Sequence, residues 1–287
     1  MAEYLMGIDA GTGSVRVALF DFRGQNRAYA VAEYGTTYPK NGWAEQSDYE
    51  WFEALKKAIP ECIKKAGIAA DNIAAITCDA TTNTLVYLDE NDTSVRPPIL
   101  WMDVRATEEA SFIDTIREEY DATKFYKPGF RADTMVPKCM WVKKNEPENW
   151  AKTKTIMEFE DWLNWKLTGR KTVSMSVAAF RWNYDDKNGG YPVDFYNAVG
   201  LDDVVDKFPE PVLKVGEVVG NISAEAAEIF GLSKKTVVVE GRESLVAVKR
   251  RLVRLCNFPY HHGNRSVPAL FNREVRAGLA PFEKQLP

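Results

Sequence analysis

The chain has 287 residues, of which 45% are hydrophobic and 27% charged, and its formal net charge is −4. This length suits one large domain or two small ones. No apolar run reaches the roughly 20 residues that span a bilayer, the N-terminus lacks the basic and apolar regions of a signal peptide, and the four cysteines are too dispersed for a zinc site or a disulfide framework. We therefore expect a cytoplasmic globular protein with no membrane partner.

Strands dominate the first third of the chain. Apolar and β-branched runs predict a strand at YLMGID (4–9) and a second at VRVALFDF (15–22), joined by a tight turn. A third strand is predicted at RAYAVAEYGTTY (27–38), and two more follow at IAAITCDA (73–80) and NTLVYLDEN (83–91).

A long helix is predicted over 47–67, because Ser47 provides an N-cap, apolar residues recur at helical spacing and Gly67 can end it. Pro60 is expected to kink that helix or to mark a tolerated break. Further helices are predicted at 103–120, 135–150, 159–169 and 224–231, followed by a β-branched strand at 234–241. Strands first and interleaved helices later indicate an α/β protein with a mixed sheet.

The turn AGTGS (10–14) has two glycines one residue apart, directly after the first strand. It is not a dinucleotide fingerprint, because Arg16 stands where a third glycine belongs and the chain continues as a strand. It is not a P-loop either, because no G-K-[ST] follows. Its backbone amides suit phosphate oxygens, and the preceding Asp9 suits a magnesium ion held through water. An ordinary hairpin turn is the alternative.

Six stretches follow one another over residues 1–240. They are GIDAGTGSVRVALFD (7–21), GWAEQSDYEWFEAL (42–55), CDATTNTLVYLDEN (78–91), ILWMDVRA (99–106), DTMVPKCMWVKKN (133–145) and FEDWLNWKLTG (159–169). Together they resemble the FGGY family of carbohydrate kinases, a member of the actin-like ATPase superfamily, and its pentulose-kinase (ribulokinase-like) branch in particular. The resemblance implies an actin-like ATPase (ribonuclease H-like) α/β domain, with a mixed sheet flanked by helices.

The resemblance further implies that ATP and Mg²⁺ are bound at the glycine turn. Asp9 would help to position the metal, and Arg16 would add positive charge near the transferring phosphoryl group, as phosphoryl transfer requires. The residues facing the phosphates would be Gly11, Thr12, Gly13 and Ser14. For Arg16 the alternative is an ordinary surface arginine on a strand.

A small-molecule sugar is the partner that the resemblance implies. The residues matching the family's sugar-side positions are Asp79, Ala80 and Thr81 after a strand, Trp101, Asp103 and Arg105 in WMDVR, and Arg181. Two structural alternatives stand beside these roles. The first is an Asx-type turn at Asp79, and the second is a buried Trp101 with Asp103 as a helix N-cap. Lys138, after Pro137, is interpreted as a helix-face lysine.

The resemblance ends near Gly241. The family continues there with a G-G-x-D-A-like turn whose aspartate is the general base, but this chain continues with Arg242, Glu243 and Ser244. The catalytic base is therefore unknown, and Glu243 is a weak substitute because it is one residue out of place. Residues 241–287 contain 9 Lys and Arg residues but only 3 Asp and Glu residues. Residues 1–240 contain 28 Lys and Arg residues and 38 Asp and Glu residues.

We therefore expect two parts: an N-terminal sugar-binding domain over 1–240, and an atypical Arg-rich tail over 241–287 that is disordered or poorly packed. A shifted reading frame, a truncation or a shortened homologue would each explain the tail. The tail lacks the aromatic interleaving of a nucleic-acid module, so no nucleic-acid partner is expected, and a homodimer is left open. The predicted function is ATP-dependent phosphorylation of a pentulose or related polyol, with this chain inactive alone. The alternatives are a non-catalytic sugar- or phosphate-binding module and an actin-like interaction protein.

Overall fold

A computed structural model describes residues 3–124 and 129–241. The strands in these residues are β1 (Tyr4–Ala10), β2 (Ser14–Asp21), β3 (Asn26–Glu33), β4 (Ile73–Ala80), β5 (Leu85–Leu88), β6 (Thr155–Glu158), β7 (Val173–Ser174), β8 (Val212–Leu213), β9 (Val218–Asn221) and β10 (Val237–Val239). Six of them form one sheet in the order β3-β2-β1-β4-β10-β9. Because β1, β4 and β10 are parallel and the other pairs are antiparallel, the predicted mixed sheet is confirmed. Two short sheets pair β5 with β6 and β7 with β8.

The helices are α1 (Asp48–Ala66), α2 (Thr107–Ile116), α3 (Met135–Asn145), α4 (Pro147–Lys152), α5 (Phe159–Thr168), α6 (Met175–Arg181), α7 (Val193–Ala198) and α8 (Ala224–Phe230). Short 3₁₀ turns lie at Ala70–Asn72, Arg117–Glu119 and Val205–Lys207. None of the helices in the described part of the chain has the length and apolar character that crossing a bilayer requires.

Local signals set the ends of α1 as the sequence predicts. The Ser47 hydroxyl accepts a hydrogen bond from the Glu50 amide, and Gly67 ends the helix in the left-handed conformation with φ +65°. The helix runs through Pro60 without ending there. The stretch predicted as one helix over 135–150 is two helices, because Pro147 starts a new one.

Two apolar cores hold the molecule together. The first lies between the six-stranded sheet and helices α1, α5 and α8, where Trp51 stacks on Phe159 with ring centroids 3.6 Å apart. The second surrounds β5 and β6 and contains the fully buried Tyr87, Trp182 and Phe195. Since α5 follows β6 directly, the segment over 155–168 links the two cores.

Candidate functional site

Three charged residues stand side by side across the sheet. Arg16 on β2 is paired in register with Asp9 on β1, and Asp9 is paired in turn with Asp79 on β4. Residues paired in this way point to the same face of a sheet. They lie near the carboxyl ends of the parallel strands β1 and β4, the edge at which open α/β sheets bind ligands.

The next parallel strand brings Gly241 to the same edge. A Cβ atom on Gly241 would lie 2.1 Å from the Cys78 carbonyl oxygen and 2.7 Å from Oε1 of Glu160. No side chain fits that space, so glycine is required for the close approach of the two strand ends. Gly241 is the last described residue, and it lies against the peptide group between Cys78 and Asp79; Glu243 and the tail lie outside the described residues.

Two side chains, Tyr34 and Gln46, donate hydrogen bonds to backbone carbonyls of the glycine turn. The Gly11 amide donates to the Ser14 carbonyl over 3.0 Å, and the Tyr34 hydroxyl donates to the Gly11 carbonyl over 2.5 Å. Gln46 donates to the Thr12 carbonyl over 2.5 Å. Ser14 is buried while Gly13 is exposed. Within the stretch from Gly11 to Ser14, Gly13 is therefore the exposed residue, Gly11 and Thr12 are half-buried, and Ser14 is buried.

The indole of Trp101 meets the glycine turn. Its Nε1 donates to the Thr12 hydroxyl over 3.0 Å, and 40% of the residue surface is exposed. The interpretation of Trp101 as a buried core residue is therefore wrong. Asp103 is not a helix cap either, since α2 begins only at Thr107, with Ala106 at its N-cap position. A residue expected near sugar and a residue expected near phosphate are thus in direct contact.

The family model for the N-terminal domain of the FGGY carbohydrate kinases matches residues 4–247. The chain belongs to the FGGY family of carbohydrate kinases. It is 30% identical over 240 residues to the xylulose kinase of Staphylococcus epidermidis, covering 83% of this chain and 47% of that protein. It is also 30% identical over 278 residues to ribulokinase 2 of Staphylococcus saprophyticus, a match that covers 85% of this chain and 51% of that protein.

A solved structure supports the fold of this FGGY chain. The xylulose kinase from Rhodospirillum rubrum matches with a TM-score of 0.73 at 24% identity, covering 84% of this chain and 48% of that one. The expected actin-like ATPase fold, with its mixed sheet flanked by helices, is confirmed. The chain spans about half the length of the curated relatives that it matches.

Two residues of the FGGY chain that were expected to contact sugar are instead buried. The Asp103 carboxylate accepts hydrogen bonds from the Ala44 amide over 2.6 Å and from the amide and guanidinium of Arg105 over 2.7 to 2.9 Å. Arg105 also bonds Glu45 over 2.7 Å, and its guanidinium lies 4.0 Å from the ring centre of Trp43. Neither charged side chain has any exposed surface. The structure corrects the expectation: this ion pair shapes the loop that carries Trp101.

The remaining sugar-side residues surround the turn after β4. The Thr81 amide donates to the Ala10 carbonyl over 3.1 Å, which fixes this turn against the end of β1. Asp79 and Ala80 are each 7% exposed at the end of β4. Arg181, the last residue of α6, is half-buried and donates to the Thr82 hydroxyl over 3.5 Å. The structure thus brings Arg181 to the turn although the two are about a hundred residues apart.

Sequence reasoning missed the role of Lys138. The side chain is completely buried, and its ammonium group donates to the carbonyls of Asn83 over 2.5 Å and Leu100 over 2.8 Å. Burial lowers the pKa of Lys138 to about 8, against the carboxylates of Glu158 and Asp103, which raise it. The signal in the sequence is that Lys138 has apolar neighbours on α3, at Val136, Pro137 and Cys139.

A group of buried carboxyls lies under the end of β10. Burial raises the pKa of Glu240 to about 7, although hydrogen bonds from Ser174 and Asn164 lower it. Burial also raises the pKa of Asp161 well above its ordinary value, and the nearby Glu240 raises it further. Asp161 accepts a hydrogen bond from the Ser174 amide over 2.9 Å. These groups bind protons more tightly in the folded chain than in the unfolded chain.

We expect Glu240→Gln to change how stability depends on pH. A carboxyl whose folded pKa is raised contributes stability that is fully present below its unfolded pKa, 4.5, and is lost as pH rises through about 7. Above that pH the penalty is on the order of 2–3 kcal/mol. Urea unfolding between pH 5 and pH 8 should show wild-type stability falling relative to Glu240→Gln. The exposed Glu225→Gln is the control, and equal pH slopes for wild type and Glu240→Gln would contradict the assignment.

Proposed function

We propose that this chain is the sugar-binding half of a kinase that transfers the γ-phosphate of MgATP to a hydroxyl group of a pentulose or related polyol. The observation that carries the proposal is the 3.0 Å hydrogen bond between the Trp101 indole and the Thr12 hydroxyl. This bond joins the segment expected to bind the acceptor to the turn expected to bind phosphate. The neighbouring positions of Asp9 and Asp79 in the sheet add carboxylates beside the same place.

The acceptor side has the groups that an open-chain sugar needs. The exposed face of the Trp101 indole can pack on the carbon skeleton of a polyol. The carboxylate of Asp79 lies at the end of β4, and the hydroxyls of Thr81 and Thr82 lie in the turn that follows, where these groups can exchange hydrogen bonds with sugar hydroxyls. Arg181 reaches this turn through Thr82 and supplies a charged donor.

The phosphate side fits a magnesium ion bound mainly by water and by phosphate. Among the described residues, no three His, Cys, Asp or Glu side chains are arranged to hold a metal by themselves. A single carboxylate suits Mg²⁺, which keeps several water ligands and is shared with substrate phosphates. Bound there, the ion would neutralise charge on the transferring phosphoryl group.

Asp9 is the carboxylate that this proposal assigns to the metal. It bonds Arg16 over 3.1 Å, and both side chains are about one-third exposed. A pair this exposed contributes at most about 1 kcal/mol of stability. Arg16 can therefore turn from Asp9 towards an arriving phosphate at small cost.

A non-catalytic sugar- or phosphate-binding module is the second candidate. The sequence after Gly241 favours it, because Arg242, Glu243 and Ser244 stand where the family has the turn with the catalytic aspartate. Both candidates share the same sugar site, so both predict sugar binding by this chain. They differ in whether a base acts on the bound hydroxyl group.

Calorimetric titration of the chain with D-xylulose, L-xylulose, D-ribulose and L-ribulose tests the proposal. We expect at least one of them to bind, and Trp101→Leu to weaken that binding about tenfold, which corresponds to about 1.4 kcal/mol of lost contact. Phe22→Leu is the matched control, since Phe22 is an exposed aromatic residue just beyond the opposite end of β2. Binding of none of the four sugars, or equal effects of the two variants, would refute the proposed sugar site.

A further inference from the structure

One peptide group in the turn after β4 is held from both ends by buried charges. The carbonyl of Asn83 accepts a hydrogen bond from the Lys138 ammonium over 2.5 Å. The amide of Thr84, which belongs to the same peptide group, donates to Oε2 of Glu158 over 3.1 Å. Lys138 has no exposed surface, and Glu158 is 1% exposed. We call these two side chains and the Asn83–Thr84 peptide group the peptide clamp.

The clamp fixes the turn in a left-handed backbone conformation. Asn83 has a φ of +57°, in the region that asparagine occupies more often than most other non-glycine residues. The Thr84 hydroxyl lies 2.9 Å from the Thr81 hydroxyl, so the fixed peptide also orients the first part of the turn. The positions of Thr81 and Thr82 therefore depend on the clamp.

Each charge of the clamp also reaches a second segment of the proposed site. Lys138 donates to the carbonyl of Leu100 over 2.8 Å, and Leu100 directly precedes Trp101. Glu158 accepts a hydrogen bond from the indole of Trp182 over 3.1 Å, and Trp182 directly follows Arg181. The three segments that carry the proposed sugar contacts are thus tied to one buried pair of opposite charges.

We propose that Lys138 and Glu158 are positioning residues of the sugar site, which set the distances between the turn after β4, Trp101 and Arg181. This inference rests on the proposed sugar-binding function. Burying the Lys138 ammonium contributes little net stability, because the cost of desolvation offsets what its two hydrogen bonds gain. Its value here is geometric: the ammonium group has several donors and can bond two carbonyls at once, which no apolar side chain of that size can do.

The test uses the full chain labelled with 5-fluorotryptophan, in wild type and in Lys138→Met. The ¹⁹F resonance of Trp101, assigned with Trp101→Phe, reports the position of the indole without any sugar. We expect Lys138→Met to shift that resonance, because the Asn83 and Leu100 carbonyls both lose their buried donor, and to weaken pentulose binding about tenfold, which corresponds to about 1.4 kcal/mol. Lys143→Met is the matched control, because Lys143 lies on the same helix and bonds only Asp202 and Asp203 among the described hydrogen bonds.

Each result decides a separate point. A folded Lys138→Met with an unshifted Trp101 resonance and unchanged sugar affinity overturns the positioning role. If wild type binds no pentulose, the proposed function fails, and the Trp101 resonance still decides whether Lys138 places the indole. If Lys138→Met does not fold, Glu158→Gln carries the test, since glutamine keeps an acceptor for the Thr84 amide. Its sugar affinity must then fall more than that of Lys143→Met, and an equal affinity overturns the inference.

Discussion

Residues 1–287, purified as one polypeptide, should show no pentulose-dependent ATP turnover above background. Phosphoryl transfer depends on holding nucleotide, metal and acceptor together, with charge stabilised around the transferring group. The described residues supply the turn over 10–14 and the proposed acceptor contacts, while the sequence after Gly241 has no aspartate. The absence of a general base alone costs roughly 10²–10⁴-fold in rate.

A coupled assay of ADP release, with each of the four pentuloses and with no sugar, measures this. Sugar binding measured on the same preparation is the control, because it separates an inactive protein from an unfolded one. Turnover that requires sugar and disappears in Asp9→Ala would contradict the prediction. It would assign the base role to another group, with Glu243 as the first residue to substitute.

The parts of the fold that the sequence predicts well are those fixed by neighbours along the chain. The β1–β2 hairpin follows from alternating β-branched residues around a glycine turn. Helix α1 follows from the Ser47 cap, the apolar spacing and Gly67. In both cases the stabilising partners lie within about 20 residues, so a local pattern contains most of the information.

The site was predicted less completely, because its key contacts join distant segments. Trp101 meets Thr12 across 89 residues, and Lys138 meets Asn83 across 55. A sequence shows a charged residue, but whether it is exposed or buried depends on which distant groups can satisfy it. Lys138 is interpreted from the sequence as a helix-face residue, because no local pattern reveals that its ammonium group bonds two carbonyls from other segments.

The same principle explains why Asp103 and Arg105 were assigned to the sugar. Their spacing in WMDVR matches a sugar-proximal segment of the family, and charged side chains are usually exposed. The partners that satisfy them, Ala44 and Glu45, lie about 60 residues earlier in the chain. The motif therefore indicated a segment whose Trp101 is exposed next to the glycine turn, but it could not say which of its other side chains are buried.

Arg105→Met should destabilise the chain by about 3–5 kcal/mol, because it leaves the buried carboxylates of Asp103 and Glu45 without this partner. The matched control is Arg131→Met. Arg131 makes the same two-point contact with an aspartate two positions away, Asp133, but its side chain is 74% exposed. Solvent screens this pair from the Arg131 side, although the Asp133 side chain is only 10% exposed, so the control should lose clearly less stability than Arg105→Met.

Urea unfolding at pH 7 measures both variants, and titration with a pentulose that wild type binds measures their affinity for sugar. If Arg105 acts through structure, its loss lowers the free energy of unfolding, and affinity declines because the loop that carries Trp101 is no longer fixed. Lost sugar affinity with an unchanged free energy of unfolding would instead support the direct contact between Arg105 and sugar that the sequence indicates. In that case Arg105→Met keeps the wild-type unfolding free energy to within about 1 kcal/mol and loses sugar binding, which a fully buried guanidinium paired with Asp103 and Glu45 would not allow.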